Sequence, residues 1–140
     1  MKFFAWRHLV GFQDTNLVGN VYFVNHLSWQ GRCRELFLKQ HAPQILARLQ
    51  QGFALATVRC SCDYLVELEA FDEVELRMSL KQTSRNQIAM DFAYWRLEKG
   101  GGETLVARGQ QQVACMERRD GQMVPVPIPQ ELSEALAAYQ

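Results

Sequence analysis

One long helical block followed almost entirely by strands constrains this chain more than any single motif does. Residues 26–41 carry apolar side chains at Leu27, Trp29, Cys33, Leu36 and Phe37, a wide stripe at helical spacing. Asn25 fits the N-cap of that helix, and Gly31 in its middle would let another backbone come close. Pro43 suits the first turn of a short second helix over 44–50. Before the helix, residues 3–12 alternate, with Phe4, Trp6, His8, Val10 and Phe12 on one face and Ala5, Arg7, Leu9 and Gly11 on the other. After Gly52, strands are predicted over 53–66, 73–81, 88–97 and 104–116. The clearest sets Val74, Leu76, Met78 and Leu80 against Glu73, Glu75, Arg77, Ser79 and Lys81. Gly100-Gly101-Gly102 and Asp120-Gly121 mark turns. Pro125 and Pro127 predict an extended stretch, and Pro129 the first turn of a terminal helix over 130–139. Consecutive strands pair most simply as antiparallel neighbours. The order therefore predicts an α+β chain, an antiparallel sheet of about five strands wrapped around one long helix, with residues 1–140 as a single domain. The sheet's other face is then bare or set against a second subunit. Arg7, Arg59 and Gln111 predict that this face is only partly apolar.

Composition removes several function classes. The formal net charge is zero, and no basic block points to nucleic acid. The chain is 48% hydrophobic, enough for one sizeable core, yet no apolar run approaches the ~18 residues that span a bilayer. Residues 1–8 break into charge too early for a signal peptide, so a cytoplasmic location without a membrane partner is expected. Cys33, Cys60, Cys62 and Cys115 read as small, largely buried hydrophobes. His8, His26 and His41 are too scattered to complete a zinc site with them, and no metal or cofactor is expected. Tyr64, Met78, Met90, Phe92 and Trp95 read as core.

No nucleophile elbow, P-loop, dinucleotide-binding glycine run or zinc-protease motif is present. Polar residues gather instead in residues 14–35. Asp14, Thr15, Asn16 and Asn20 fall in a loop, and Arg32, Arg34 and Glu35 on the helix that follows. A helix starting here offers free N–H groups and a positive dipole end, which can polarise a carbonyl oxygen. Asn16 suits a turn, and equally a hydrogen bond to a carbonyl or a water; it cannot act as a base. Arg32 and Arg34 are two apart and do not share a helix face, so at most one enters a given cleft. Glu35 can pair along the helix with Arg32 or Lys39. Asp14 fits a turn or capping carboxylate, and His26 a first-turn residue or a proton carrier near neutral pH.

The same segment resembles a known family. Phe12, Asp14, Gly19, Val21, Tyr22 and Trp29 match the signature of the hydroxybenzoyl-CoA thioesterase branch of the hotdog superfamily. That signature's second acidic position is Asn16 here. The strings 15–21 and 29–35, with Phe37-Leu38, are similar to the thioesterases associated with enediyne polyketide synthases, which share that asparagine. His26 departs from the tyrosine common in that subgroup. The resemblance implies a hotdog fold and hydrolysis of a polyene β-keto or β-hydroxy acyl thioester from an acyl carrier protein, with loss of carbon dioxide possible afterwards. It points to Asn16 and Arg34, with Glu35 beside them, as catalytic residues and to the Phe23 N–H as an oxyanion donor. It also implies a homotetramer built from two dimers, with sites at the dimer interface. A general acyl-CoA thioesterase and a non-catalytic acyl-binding or carrier-docking module are the alternatives.

Overall fold

A helix with a wide apolar stripe is stable only where something covers it, and here a curved sheet does so. The computed structural model describes residues 2–140; Met1, the first residue of the 1–140 domain expected from sequence, lies outside them. The chain runs β1 (Phe4–Leu9), a 3-10 turn (Phe12–Asp14), α1 (Val24–His41), α2 (Pro43–Leu49), β2 (Phe53–Tyr64), β3 (Glu73–Thr83), β4 (Gln87–Leu97), β5 (Glu103–Arg119), β6 (Gln122–Pro125) and α3 (Gln130–Ala137). The strands form one antiparallel sheet in the order β1-β3-β4-β5-β2, with β6 added to β5. This is the hotdog arrangement of an α+β chain. Trp29, Cys33 and Phe37 of α1 pack onto Leu76, Met78, Met90, Phe92 and Tyr94, all buried. Each such side chain contributes roughly 1.5–3 kcal/mol by leaving water. At the far end Phe4 stacks edge-on against Phe37 at 5.6 Å, and Tyr139 beyond α3 closes over Phe37 at 5.8 Å. Register shifts at Thr57/Arg59, Leu80/Gln82 and Tyr94/Trp95 bend the strands around the helix.

Several local expectations are corrected. β1 stops at Leu9, and Phe12 belongs to the 3-10 turn rather than to a strand face. Asn25 is not the N-cap. Phe23 already has helical angles (φ −56, ψ −31) and holds that position, because Asn25 N–H donates back to Tyr22 O at 2.9 Å. A Cβ at Gly31 would meet nothing within 4 Å, so no described residue makes the expected close approach there. The glycine that does carry a close approach is Gly109 on β5, where the buried Gln30 side chain lies against the backbone. Gln30 Nε2 donates to Ser61 O at 2.9 Å, and Cys60 Sγ donates to Gln30 Oε1 at 3.2 Å. Gln111 faces the helix rather than the outer surface: it pairs with Cys60 and Met90 in register and is buried. Residue 122–125 pairing into β6 hides behind the prolines, since Pro125 sits at the strand's last position, where its missing N–H does least harm.

Candidate functional site

The loop before α1 is held by Asp14. Its carboxylate Oδ2 accepts from Gly11 N–H and from His8 Nε2, both at 2.9 Å, while its carbonyl accepts from Tyr22 N–H at 2.9 Å and Asn25 Nδ2 at 2.8 Å. Asp14 is buried, and its oxygens are committed to this framework. Beyond it, Asn16 opens a tight turn: Gly19 N–H donates to Asn16 O at 3.0 Å and Val18 N–H to Asn16 Oδ1 at 3.1 Å. Gly19 takes φ +96, a conformation that favours glycine. Beyond the Val18 bond, exposed Asn16 still offers both Nδ2 hydrogens and one lone pair on Oδ1.

The first turn of α1 is pinned by two tyrosines. Tyr94 Oη donates to His26 O at 2.6 Å, and Tyr64 Oη to Phe23 O at 2.7 Å. Tyr64 is therefore an exposed tether and not core. No side chain caps this helix, and the Phe23 N–H has no hydrogen-bond acceptor among the described residues. A cleft of about 360 Å³ opens beside it, lined by Asn20, Phe23, His26, Tyr64 and Glu67 with Val21, Leu65, Val66 and Leu68. His26 is only 4% exposed, and its ring packs against Tyr64 (4.7 Å), Trp29 (5.2 Å) and Tyr94 (5.4 Å). Burial lowers its pKa to about 4, so the imidazole is neutral at physiological pH.

Farther along α1, Arg34 turns inward and donates to Gln111 Oε1 at 2.8 Å. Burial lowers the guanidinium from its ordinary value, while Cys60 and Glu35 nearby act in the opposite direction. Arg34 and Glu35 line a second groove of about 500 Å³ with Gly31, Leu38, Leu46 and Leu55. The Glu35 carboxylate is held by Arg32 Nη1 at 2.6 Å, one of the two pairings open to it in the sequence.

The single chain thus gathers the expected residues only in part. Arg34 and Glu35 share the groove, Phe23 lines the cleft at the helix entrance, and Asn16 lies on an exposed turn in neither. Sequence reasoning gave no role to Asn20, Tyr94 or Gln111. Gln111 alone left a signal: its parity with Val113 and Cys115 puts it on the core face, where a lone polar side chain needs a partner.

A family model described as the thioesterase-like superfamily matches residues 10–136. The chain is 50% identical to the dynemicin thioesterase, whose crystal structures describe polyene binding, over 99% of this chain and 97% of that one, with a TM-score of 0.94. It shares its fold with a Synechocystis 1,4-dihydroxy-2-naphthoyl-CoA thioesterase (23% identity, 96% of each chain, TM-score 0.80). It likewise shares it with a mutant 4-hydroxybenzoyl-CoA thioesterase complexed with 4-hydroxybenzoyl-CoA (16% identity, 97% and 99% covered, TM-score 0.85). No curated protein matches it. The chain belongs to the thioesterase-like superfamily and is a hotdog-fold acyl thioester hydrolase.

Proposed function

We propose that this enzyme releases a polyene β-keto or β-hydroxy acyl chain from the acyl carrier protein of an iterative enediyne-type polyketide synthase, without a catalytic carboxylate. The carrying observation is the uncapped entrance of α1 beside a cleft of mixed polar and apolar lining, in a chain half identical to a thioesterase studied with a bound polyene. The thioester carbonyl accepts from the Phe23 N–H, whose carbonyl is fixed by Tyr64. Water adds to the carbonyl carbon, and the negative charge that develops on oxygen is shared between that N–H and an Arg34 guanidinium brought to the cleft by a second copy of the chain. Asn16 Nδ2 holds the carbonyl or the attacking water. Collapse of the adduct breaks the C–S bond, and the proton from water passes to the departing thiolate. The products are a free acid and the carrier thiol. Glu35 stands beside Arg34 and steadies its charge. Where the product is a β-keto acid, loss of carbon dioxide follows.

Assembly completes the site in this reading. β2 is an edge strand, and Val58, Tyr64, Leu65 and Val66 along and beyond it are exposed. Edges of that kind invite a further strand. A second copy on β2 would bring its Asn16 turn or its Arg34 groove toward the cleft of the first, and two such dimers make the tetramer.

Incubation with the polyketide synthase carrying its acyl chain, followed by mass analysis, tests this. Release of a free polyene acid, or of the ketone left by its decarboxylation, is the expected result. A synthase product left on its carrier, with ready hydrolysis of ordinary acyl-CoA thioesters, would establish the general acyl-CoA reading instead.

A further inference from the structure

Among the described residues, two buried side-chain polar atoms lack any hydrogen-bond partner: Asn20 Oδ1 and His26 Nδ1. Both residues line the same cleft at the entrance of α1, with the two atoms themselves covered while it is empty. Native interiors satisfy nearly all such groups, so two unmet ones on one cavity mark a place where something else completes them. Neither residue is free to find a partner within the chain. The His26 carbonyl is tied to Tyr94 Oη at 2.6 Å, and three aromatic rings enclose the imidazole. The Asn20 carbonyl accepts from Asn16 N–H at 2.9 Å, and its backbone bridges Glu69. The backbones beneath the two atoms are thus fixed before any ligand arrives, and a side-chain rotation is all that is left to present them.

Their chemistry defines what fits. Asn20 Oδ1 only accepts and therefore needs a donor. A neutral imidazole offers at Nδ1 either an N–H or a lone pair, according to tautomer. A hydroxyl donates and accepts at once, so one within reach of both side chains satisfies both atoms. A keto oxygen satisfies His26 alone, and a methylene satisfies neither. Position follows from the helix: His26 lies one turn beyond Phe23, and residues three apart are neighbours on a helix surface. The subsite therefore adjoins the N–H assigned above to the thioester carbonyl, where the oxygen on the β carbon falls.

We propose that Asn20 and His26 form a hydroxyl-reading subsite that selects acyl thioesters bearing a β-hydroxyl over β-keto or unsubstituted chains. This rests on the reading of the Phe23 cleft as the acyl site. It adds two specificity-determining residues and a choice between the two oxidation levels. Of the remaining lining residues, Val21, Leu65, Val66 and Leu68 are apolar and suit the hydrocarbon that follows, and Glu67 is the one charged group among them.

The test uses three pantetheine thioesters of one length: dodecanoyl, β-ketododecanoyl and β-hydroxydodecanoyl. Thiol release gives kcat/KM for each. The wild-type enzyme should favour the β-hydroxy thioester by about tenfold or more over the unsubstituted one, as one or two matched hydrogen bonds imply. His26→Phe and Asn20→Leu should bring that ratio close to one. His26→Asn, which places an amide near the position of Nδ1, should keep part of it, separating hydrogen bonding from shape. Circular dichroism and thermal unfolding confirm that each variant folds. Equal rates on all three thioesters in the wild type, as expected if the two atoms merely hold a water, would overturn the subsite while leaving the hydrolase intact. A preference that survives both apolar substitutions would overturn it too. If the wild type releases thiol from none of the three, the reading of the catalytic cleft fails, and calorimetry with the free acids decides the subsite. Tighter binding of β-hydroxydodecanoic acid than of dodecanoic acid, lost in His26→Phe, supports it; equal binding overturns it.

Discussion

Around Arg34 the buried polar groups are matched: the guanidinium donates to Gln111, Gln30 donates to Ser61, and Cys60 donates to Gln30. Around His26, about two turns earlier on the same helix, two buried atoms go without partners while the backbone beneath them is tied down by tyrosines. Both regions lie between α1 and the sheet, yet they are finished differently. Matched groups fix the place of a charge, and once fixed it can stabilise a developing oxyanion without reorganisation. Unmatched groups in a rigid setting leave valences for a ligand. In the proposed reading the contrast separates a region that supplies charge from one that reads shape and hydrogen bonding, and substitutions can attack each side of it separately.

The largest effect should come from the charged region. Arg34→Ala should lower kcat/KM for a β-keto or β-hydroxy acyl thioester by at least about 100-fold, the scale seen when an oxyanion donor is removed. The fold should persist, because alanine favours the helix and Arg34 contributes one hydrogen bond to the described contacts, that to Gln111. Steady-state kinetics beside a thermal melt would check both halves. Undiminished hydrolysis by a folded Arg34→Ala protein would remove Arg34 from the mechanism.

The entrance region should declare itself through pH. The folded-state pKa of His26 falls from 6.5 to about 4 because of burial among Trp29, Tyr64 and Tyr94, with Glu67 the acidic group lining the same cleft. The unfolded chain then binds more protons than the folded one between those values. Stability is therefore fully present above about pH 6.5 and is lost as pH falls toward 4, by up to about 3 kcal/mol. Glu75 adds a loss at lower pH. Burial raises its carboxyl, but hydrogen bonds from Arg77 and Arg7 outweigh that and hold it below its ordinary value. Unfolding midpoints across this range should show a step above pH 4 that His26→Phe abolishes and the acid-side loss from Glu75 survives.

Next in size is the packing that supports the matched region. A Cβ added at Gly109 would collide with the Gln30 amide and lie 2.8 Å from Ser61 O. Gly109→Ala should cost about 2 kcal/mol in denaturant unfolding, within the range for overpacked cores. Gly31→Ala, on the open groove side of the same helix, should be neutral or stabilising in the protomer, since nothing lies within 4 Å.

Much of this architecture was legible in the sequence, for reasons that differ by element. Glu73–Thr83 alternates cleanly because one face is core and the other is not. α1 showed itself by a stripe too wide for a surface helix, although its start was misplaced. A sequence signal such as Asn25 cannot reveal that Asp14, eleven positions earlier, claims its side chain. Gln111 was misassigned because Arg7 and Arg59 suggested an outer polar face, and parity from Val113 was the better guide. The site was legible only as a string. Asn16, Phe23, Arg34 and Glu35 came from resemblance, and their dispersal over a turn, a cleft and a groove depends on tertiary placement that no local pattern encodes. The unmatched atoms of Asn20 and His26 were invisible, because being unpartnered is a property of surroundings and not of residue type.

The smallest effect should come from the tether that joins the two halves of the contrast. Tyr64 is exposed, and its hydroxyl makes one hydrogen bond to Phe23 O, so Tyr64→Phe should change the unfolding free energy by about 1 kcal/mol or less. Its influence on catalysis should be more visible than that, because the same carbonyl belongs to the residue whose N–H is proposed to meet the thioester. A turn freed to move by fractions of an ångström loses part of its preorganisation, and a fall of a few-fold in kcat with little change in KM is expected. Tyr94→Phe gives the matched control. Tyr94 is fully buried and its bond to His26 O lies inside the core, so its removal should cost more stability than that of the Tyr64 hydroxyl. Its bond anchors His26 rather than Phe23, so the ratio between β-hydroxy and unsubstituted thioesters should shift more than kcat itself. If the two tyrosine variants instead changed kcat and that ratio in equal measure, the entrance of α1 would be one cooperative unit, and the division between a polarising N–H and a separate reading subsite would have to be abandoned.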